Sequence, residues 1–554
     1  MKTSRLFPLL VNTIPIIGFV IFFLLYVVNV PWFDDFEALS GFFLEFLKSK
    51  TWAEKWHWLI VPNNEHRMAT GKLITVLVYY CSGFLDFRWI QGLANFSVIV
   101  IWGLLLLTFR RFKLSYWYFL PLTLILFQPQ YYLLTFWSIT GLQHEPLLAL
   151  VLLTLYVLAL RTRLSFPLAL VLGLITTFTM SNGMFVWLAG LGVLLLRRRF
   201  REVFIWAFGM AVGITGYYYN FPYSGNERSF GKFLQMPHLS VSGFFTYMGG
   251  PFDFFPSMPE PWRFVLPTLA GLVIMWIAVH WFIQQFWPLI RYYFQPSIDP
   301  QESTFVQDFL LGGMLFLLIN AGVIAILRPH FGYFVMLISN YRLYPLLFLC
   351  LLYLAWLKGQ KRVSFSPAPL IAFGVLFSFL SYFNYYPLVV ERRKLLLTNA
   401  FNQYHSNIGL AATRGTILEP YIIWAFKEPI KMGVFQPPVH FFDEALKKNK
   451  EAQNISLIPT ITTKEISVVQ SNFPVPRSRN GMVLLHLKST FNTDEYLVPF
   501  GGVPNTGKNP FLPGIGGRAS FPHDLLKPGS YEMELIQMEG QEAKRYASET
   551  KLTI

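Results

Sequence analysis

Long continuous apolar runs, recurring from the N-terminus to about residue 390, constrain this 554-residue chain more than any other feature. They lie near 6–30, 89–109, 115–135, 142–160, 165–181, 183–196, 203–220, 264–288, 306–327, 341–357 and 367–389. Backbone in hydrocarbon must satisfy its own hydrogen bonds, so such runs fold as helices, and a straight span takes about 20 residues. The runs are continuous rather than alternating, which argues against a β-barrel. Only 14% of the residues are charged and the mean hydropathy is +0.44, whereas a soluble domain carries about a quarter charged residues. The sequence therefore predicts an α-helical polytopic membrane protein of about eleven transmembrane helices, one per run. Met1-Lys2-Thr3-Ser4-Arg5 before an apolar stretch mimics a secretory signal. No small-x-small cleavage site follows, so the first helix reads as retained.

The formal charge of +15 is not clustered on a soluble domain, which speaks against nucleic acid as a partner. It gathers at the ends of apolar runs: Lys2/Arg5, Arg110/Arg111/Lys113, Arg161/Arg163, Arg197/Arg198/Arg199/Arg201, Arg291 and Lys358/Lys361/Arg362. With eleven spans and a cytoplasmic N-terminus, all six clusters face the cytoplasm, as the Lys/Arg bias of cytoplasmic loops requires. The leftover run Met68–Ser82 fits this pattern as an interfacial helix rather than a span. Polar groups then collect on the opposite side: Asp34 and Asp35, Glu65-His66-Arg67, His144-Glu145, Ser181-Asn182-Gly183, Arg328/His330 and Arg342. Cys81 and Cys350, both in apolar context, suggest neither a disulfide framework nor a metal site.

The stretch 30–47, VPWFDDFEALSGFFLEFL, opens a large first loop over 31–88. Phe36, Leu39, Phe43 and Phe46 recur at helical spacing, which predicts an amphipathic helix on the bilayer surface. Asp34 stands where an N-cap belongs, with Glu37 three residues on. Capping alone accounts for such acids. Two adjacent carboxyls between Trp32/Phe33 and Phe36 also suit a general base, because a low dielectric and a like charge tune its pKa.

The order of first span, acidic pair, surface helix, polar stretch, second surface helix, GFLDFRW and second span resembles the start of GT-C membrane glycosyltransferases, among them the aminoarabinose and protein O-mannosyl transferases. The family's Asp-Glu pair, Lys-Pro-Pro stretch, Phe-Gly turn and span-opening Arg correspond to Asp34-Asp35, the segment from Glu65-His66-Arg67 to Lys72, Ser82-Gly83-Phe84, and Arg88. This chain departs from the pattern in having NNEHRMATGKL instead of Lys-Pro-Pro, and Asp as the second acid. The resemblance covers about residues 1–390. It implies a transmembrane catalytic region on the bacterial inner membrane, with sugar moved from a polyprenyl-phosphate carrier to a hydroxyl of a glycan, lipid or protein outside the cytoplasm. On that implication Asp34, with Asp35 as alternative, takes the acceptor proton. Glu65, His66, Arg67, Arg328, His330 and Arg342 bind the carrier phosphate and substrate. No cofactor is required for certain; a divalent metal on Asp34, Asp35, His144 and Glu145 is the alternative role of those residues. Capping of a helix is the plainer role for His144-Glu145, and a tight turn for Ser181-Asn182-Gly183.

After Tyr386 apolar density falls. A partly helical linker over 391–439 and a β-sandwich-like domain over 440–554 are expected, both periplasmic if the spans are odd in number. ISVVQSNF, GMVLLHLKST, EYLVPFGG and SYEMELIQM read as its strands. Two other functions compete with glycosyl transfer. A polymerase or ligase of O-antigen type would show a large, Arg-dense late loop, which 221–263 is not. A lipid or polysaccharide transporter would show internal repeats and mid-span charges.

Overall fold

The computed structural model describes residues 3–64, 66–222, 227–294, 304–360, 365–448, 451, 454–476, 481–502, 516–540 and 542–554. Two compact units emerge. The first comprises Met1–Leu25, Lys50–Ile74 and Ile90–Tyr386; the second comprises Tyr26–Ser49, Thr75–Trp89 and Pro387–Ile554.

The apolar runs form α1 (Leu6–Tyr26), α2 (Phe87–Arg110), α3 (Ser138–Leu160), α4 (Ser165–Thr177), α5 (Phe185–Leu196), α6 (Phe200–Tyr218), α7 (Trp262–Trp287), α8 (Phe305–Leu327), α9 (Leu343–Gly359) and α10 (Ala368–Ser406). Among the described residues seven of these, all but α4, α5 and α6, are long and apolar enough to cross a membrane. With 13 and 12 residues, α4 and α5 fall short of a straight span. The run 115–135 is not one helix. Leu120–Leu126 and Tyr132–Thr135 are separated by a 3₁₀ turn at Pro129–Tyr131, where proline removes a donor and fixes φ. Most of α3, α8 and α9 is buried, whereas α1 and α7 leave most of their apolar surface outward.

Small residues let the short helices approach. A side chain at Gly190 of α5 would put Cβ 2.5 Å from the Trp206 ring of α6. Trp206 Nε1 donates to the Trp187 carbonyl, and Trp187 Nε1 to Thr177 Oγ1, each at 2.8 Å. Both indoles are thus satisfied where no water can serve them.

Helix polarity sorts the charges of this unit. Arg161 and Arg197, at the C-terminal ends of α3 and α5, share Asp308 near the start of α8. Arg111, after α2, lies over Phe305 at 4.0 Å. The basic ends of α2, α3 and α5 therefore meet at one end of the bundle. Lys361 and Arg362 lie outside the described residues.

In the second unit the amphipathic segment differs from its expected form. Phe36–Gly41 is a π-helical turn that continues as α-helix Phe42–Lys48. Its apolar face is buried by protein: Phe36 packs on Phe426 with centroids 6.3 Å apart, and Gly41 abuts the Tyr421 hydroxyl. Both partners belong to helix Glu419–Lys431. Local spacing alone predicts a lipid-facing stripe here, because the protein partner that buries it lies nearly 400 residues away. The chain expected as a linker from 391 begins inside α10, which continues to Ser406.

Among the described residues eight strands follow: β1 (Ile458–Ile461), β2 (Glu465–Gln470), β3 (Gly481–Ser489), β4 (Glu495–Pro499), β5 (Gly501–Gly502), β6 (Gly517–Pro522), β7 (Ser530–Glu539) and β8 (Glu542–Thr553). They make two antiparallel sheets, ordered β1-β2-β6-β5 and β4-β3-β7-β8. Val468, Phe521, Leu485, Val498 and Leu535 contribute to one apolar core shared by both sheets. Edge strand β4 is covered by α10: Asn402 Nδ2 donates to the Leu497 carbonyl at 2.9 Å, and Asn402 Oδ1 accepts from Leu497 N–H at 2.7 Å.

Under the second sheet, buried His486 meets Glu534 (Nδ1 to Oε1, 2.6 Å), which Arg545 also holds at 2.6 Å. Burial lowers the His486 pKa, but Glu495 and Glu534 outweigh it and raise it above 6.5. Burial raises the Glu534 carboxyl, but His486 and Arg545 outweigh it and hold it at about 2. The Glu534 contribution to stability is present above its ordinary 4.5 and fades as pH falls toward 2. The His486 contribution is full below 6.5 and fades as pH rises through its elevated pKa. Protection of the β3 and β7 amides, corrected for intrinsic exchange, is expected to peak between these limits. His486→Gln is expected to flatten the alkaline arm and to weaken the acid arm in part, because Arg545 then holds Glu534 below 4.5 without the imidazole.

Candidate functional site

The helix ends opposite the basic cluster enclose a cavity of about 500 Å³ in the first unit. His66, His144, Ser181, Asn182, Asn320 and Arg328 supply its polar wall; Met180, Phe185, Phe221, Ile324 and Leu327 supply much of its apolar wall. The second turn of α3, the 3₁₀ turn Ser181–Met184 between α4 and α5, and the C-terminal ends of α6 and α8 converge there.

Two imidazoles are oriented by neighbours. His66 Nδ1 bonds Ser181 Oγ at 2.8 Å, and His144 Nδ1 bonds the Tyr344 hydroxyl at 2.8 Å. Asn182 Nδ2 donates to that same hydroxyl at 3.0 Å, leaving its Oδ1 without a partner. Asn320 Oδ1, buried on α8, also lacks one. Arg328 follows the last turn of α8, where a cation complements the helix dipole. Among the described residues its guanidinium makes no hydrogen bond or ion pair, only a contact with the Phe331 face at 5.8 Å. A permanently charged fork without a carboxylate, beside two imidazoles and an apolar wall, is suited to the phosphate of an amphiphile.

The other expected phosphate ligands are engaged elsewhere. Arg67 is buried and donates to three backbone carbonyls, those of Ile60, Tyr217 and Tyr219, so it clamps the loop to the end of α6. Arg342 is buried against Asp253 (Nη2 to Oδ2, 2.8 Å) and the Gly250 carbonyl (2.6 Å). His330 Nδ1 donates to the Leu327 carbonyl at 2.7 Å. None of Arg67, Arg342 and His330 lines the cavity. Glu65 lies outside the described residues.

The acidic pair belongs to the second unit. Phe33 is held at φ 46°, a conformation that costs a bulky residue about 1–3 kcal/mol. Trp32 meets Phe33 edge-on at 4.7 Å and lies under Arg392 at 4.1 Å. The buried Asp35 carboxylate accepts from Trp32 N–H at 2.9 Å, closing this turn. Asp34 contributes its carbonyl to Ala38 N–H at 2.9 Å, while its side chain caps nothing. Its carboxyl reaches the surface, yet the crowding protein strips part of its hydration and raises its pKa above 3.8. Of the two acids, Asp34 keeps its carboxyl at the surface and Asp35 holds the turn.

Among the described residues no group of three or more His, Cys, Asp or Glu side chains gathers to hold a metal ion. Of the four residues weighed for one, Asp34 and Asp35 lie in one unit and His144 and Glu145 in the other. His144 and Glu145 do not begin a helix, as expected, but sit two turns inside α3. Both Glu145 oxygens are buried without a partner. Sequence reasoning passed over Asn320, Tyr341 and Tyr344. A lone polar residue within an apolar run was the available signal for Asn320.

The chain matches no protein-family model, no curated protein and no solved structure.

Proposed function

We propose that this protein is a membrane-embedded glycosyltransferase that moves a sugar from a polyprenyl-phosphate carrier to a hydroxyl of an extracytoplasmic glycan, lipid or protein. The observation that carries the reading is the Arg328 guanidinium, which has no hydrogen bond or ion pair among the described residues, in a cavity with His66, His144 and an apolar wall. Phosphate leaving groups gain negative charge as the glycosidic bond breaks, and a fixed cation in a low dielectric stabilises that charge. The basic ends of α2, α3 and α5, opposite the cavity, support an orientation with the cavity facing out of the cytoplasm of a bacterium. The N-terminus is then cytoplasmic and the β region extracytoplasmic.

In the proposed reaction the acceptor oxygen bonds to the anomeric carbon with inversion. The bond from that carbon to the phosphate oxygen breaks, polyprenyl phosphate departs with both electrons, and Asp34 takes the acceptor proton. Purified protein in liposomes with lipid-linked sugar and candidate acceptors tests this. Release of polyprenyl phosphate is expected to fall by about 10²–10⁴-fold in Asp34→Asn, with the melting temperature unchanged. Translocation of the lipid-linked sugar without bond cleavage would favour a transporter and overturn the reading.

A further inference from the structure

The opposite end of the same bundle holds a second cavity, of about 530 Å³, walled by Arg161, Arg163, Arg197, Arg199, Glu202 and Phe166. It is formed where α3 passes into α4 and α5 into α6. Orientation in the membrane requires only basic residues near the ends of spans. Here four guanidiniums converge on one hollow, and among the described residues fewer carboxylates than guanidiniums face it. Asp308, fully buried, is shared by Arg161 and by Arg197 Nε at 2.6 Å. Glu202 pairs with Arg199. Arg197 Nη2 is buried with no hydrogen-bond partner, and Arg163 is exposed, with no hydrogen bond or ion pair among the described residues. A buried, unpartnered guanidinium N–H is costly unless an anion completes it.

We propose that this cavity binds a phosphate-bearing anion, with Arg163 and Arg197 as its principal donors. Phosphate supplies the several acceptor oxygens that guanidinium forks require. Leu164 and Phe200, next in sequence to Arg163 and Arg199, are exposed apolar side chains, as are Leu168 and Phe204. A headgroup in the cavity would leave its acyl chains against such a surface, so the lipid-borne phosphate is the expected source. The site is independent of the glycosyl-transfer reading.

The test compares full-length protein in nanodiscs of phosphatidylglycerol with nanodiscs of phosphatidylcholine, and counts retained lipid by native mass spectrometry. A parallel titration with inorganic phosphate follows heat release. Retained phosphatidylglycerol is expected to fall about fivefold in Arg163→Gln, an exposed position whose loss leaves the Asp308 pair intact. Arg110→Gln, an exposed basic residue outside the cavity, is the control and is expected to change nothing. Phosphate heat lost in Arg163→Gln, without retained lipid, supports the same site with a free anion as its ligand. Retention of neither ligand, or equal losses in Arg163→Gln and Arg110→Gln, overturns the proposal.

Discussion

Arg328→Ala is expected to lower the rate of polyprenyl-phosphate release by about 10²–10³-fold, the usual effect of removing one fixed donor that faces developing charge. It is also expected to leave the melting temperature within about 2 °C of the parent, because among the described residues no group relies on the Arg328 side chain for an ion pair or hydrogen bond. Arg328→Lys separates charge from geometry. A point charge retains part of the electrostatic effect but cannot bind two phosphate oxygens side by side. An intermediate rate, with the loss mainly in kcat, is the expected result. Turnover that is indifferent to both substitutions would remove the basis for a phosphate in this cavity.

Asp253→Asn is expected to be the most destabilising single change in the first unit. Asp253 Oδ2 accepts from Arg342 at 2.8 Å, Arg263 at 2.6 Å and the Tyr385 hydroxyl at 3.0 Å, and both Asp253 and Arg342 are almost wholly buried. Burial raises the Asp253 carboxyl, but the two guanidiniums outweigh it and hold it below 3.8, so it is ionised. Asparagine of the same shape leaves Arg342 charged and buried without a counter-ion. Breaking such a pair costs about 3–5 kcal/mol, whereas replacing both partners by apolar groups is often nearly neutral. Denaturation of Asp253→Asn should show that loss, and Asp253→Leu/Arg342→Met should recover most of it. A small loss in the single variant would mean that water reaches Arg342.

How far the fold was legible depends on the range of the forces involved. Hydrophobicity is local, so seven runs of about membrane length became seven long helices. The run 115–135 was less legible because Pro121 and Pro129 act on the backbone without lowering hydropathy. Strands β2, β3, β4 and β7 could be read from their β-branched and aromatic content. Strand β8, the longest at 12 residues, could not, because EAKRYASETKLT has a largely exposed face and little apolar alternation. In the site, Arg328 and His66 were legible as basic residues at a helix end and in a loop, and both line the cavity. Arg67 and Arg342 looked equivalent, and only their partners set them apart. Those partners, the carbonyls of Tyr217 and Tyr219 and the carboxylate of Asp253, come from distant sequence.

A sheet border with open amide and carbonyl groups invites a neighbouring chain to add a strand, and confinement to a surface raises the frequency of such encounters. At β4 the invitation is withdrawn chiefly by one carboxamide, with the Ser406 hydroxyl on the Glu495 carbonyl at 2.9 Å beside it. By engaging both the amide and the carbonyl of Leu497, Asn402 imitates one residue of a ninth strand and ends the ladder there. The tip of α10 thereby guards this border against swapped or stacked copies under two-dimensional crowding, and it does so with a group that carries no charge.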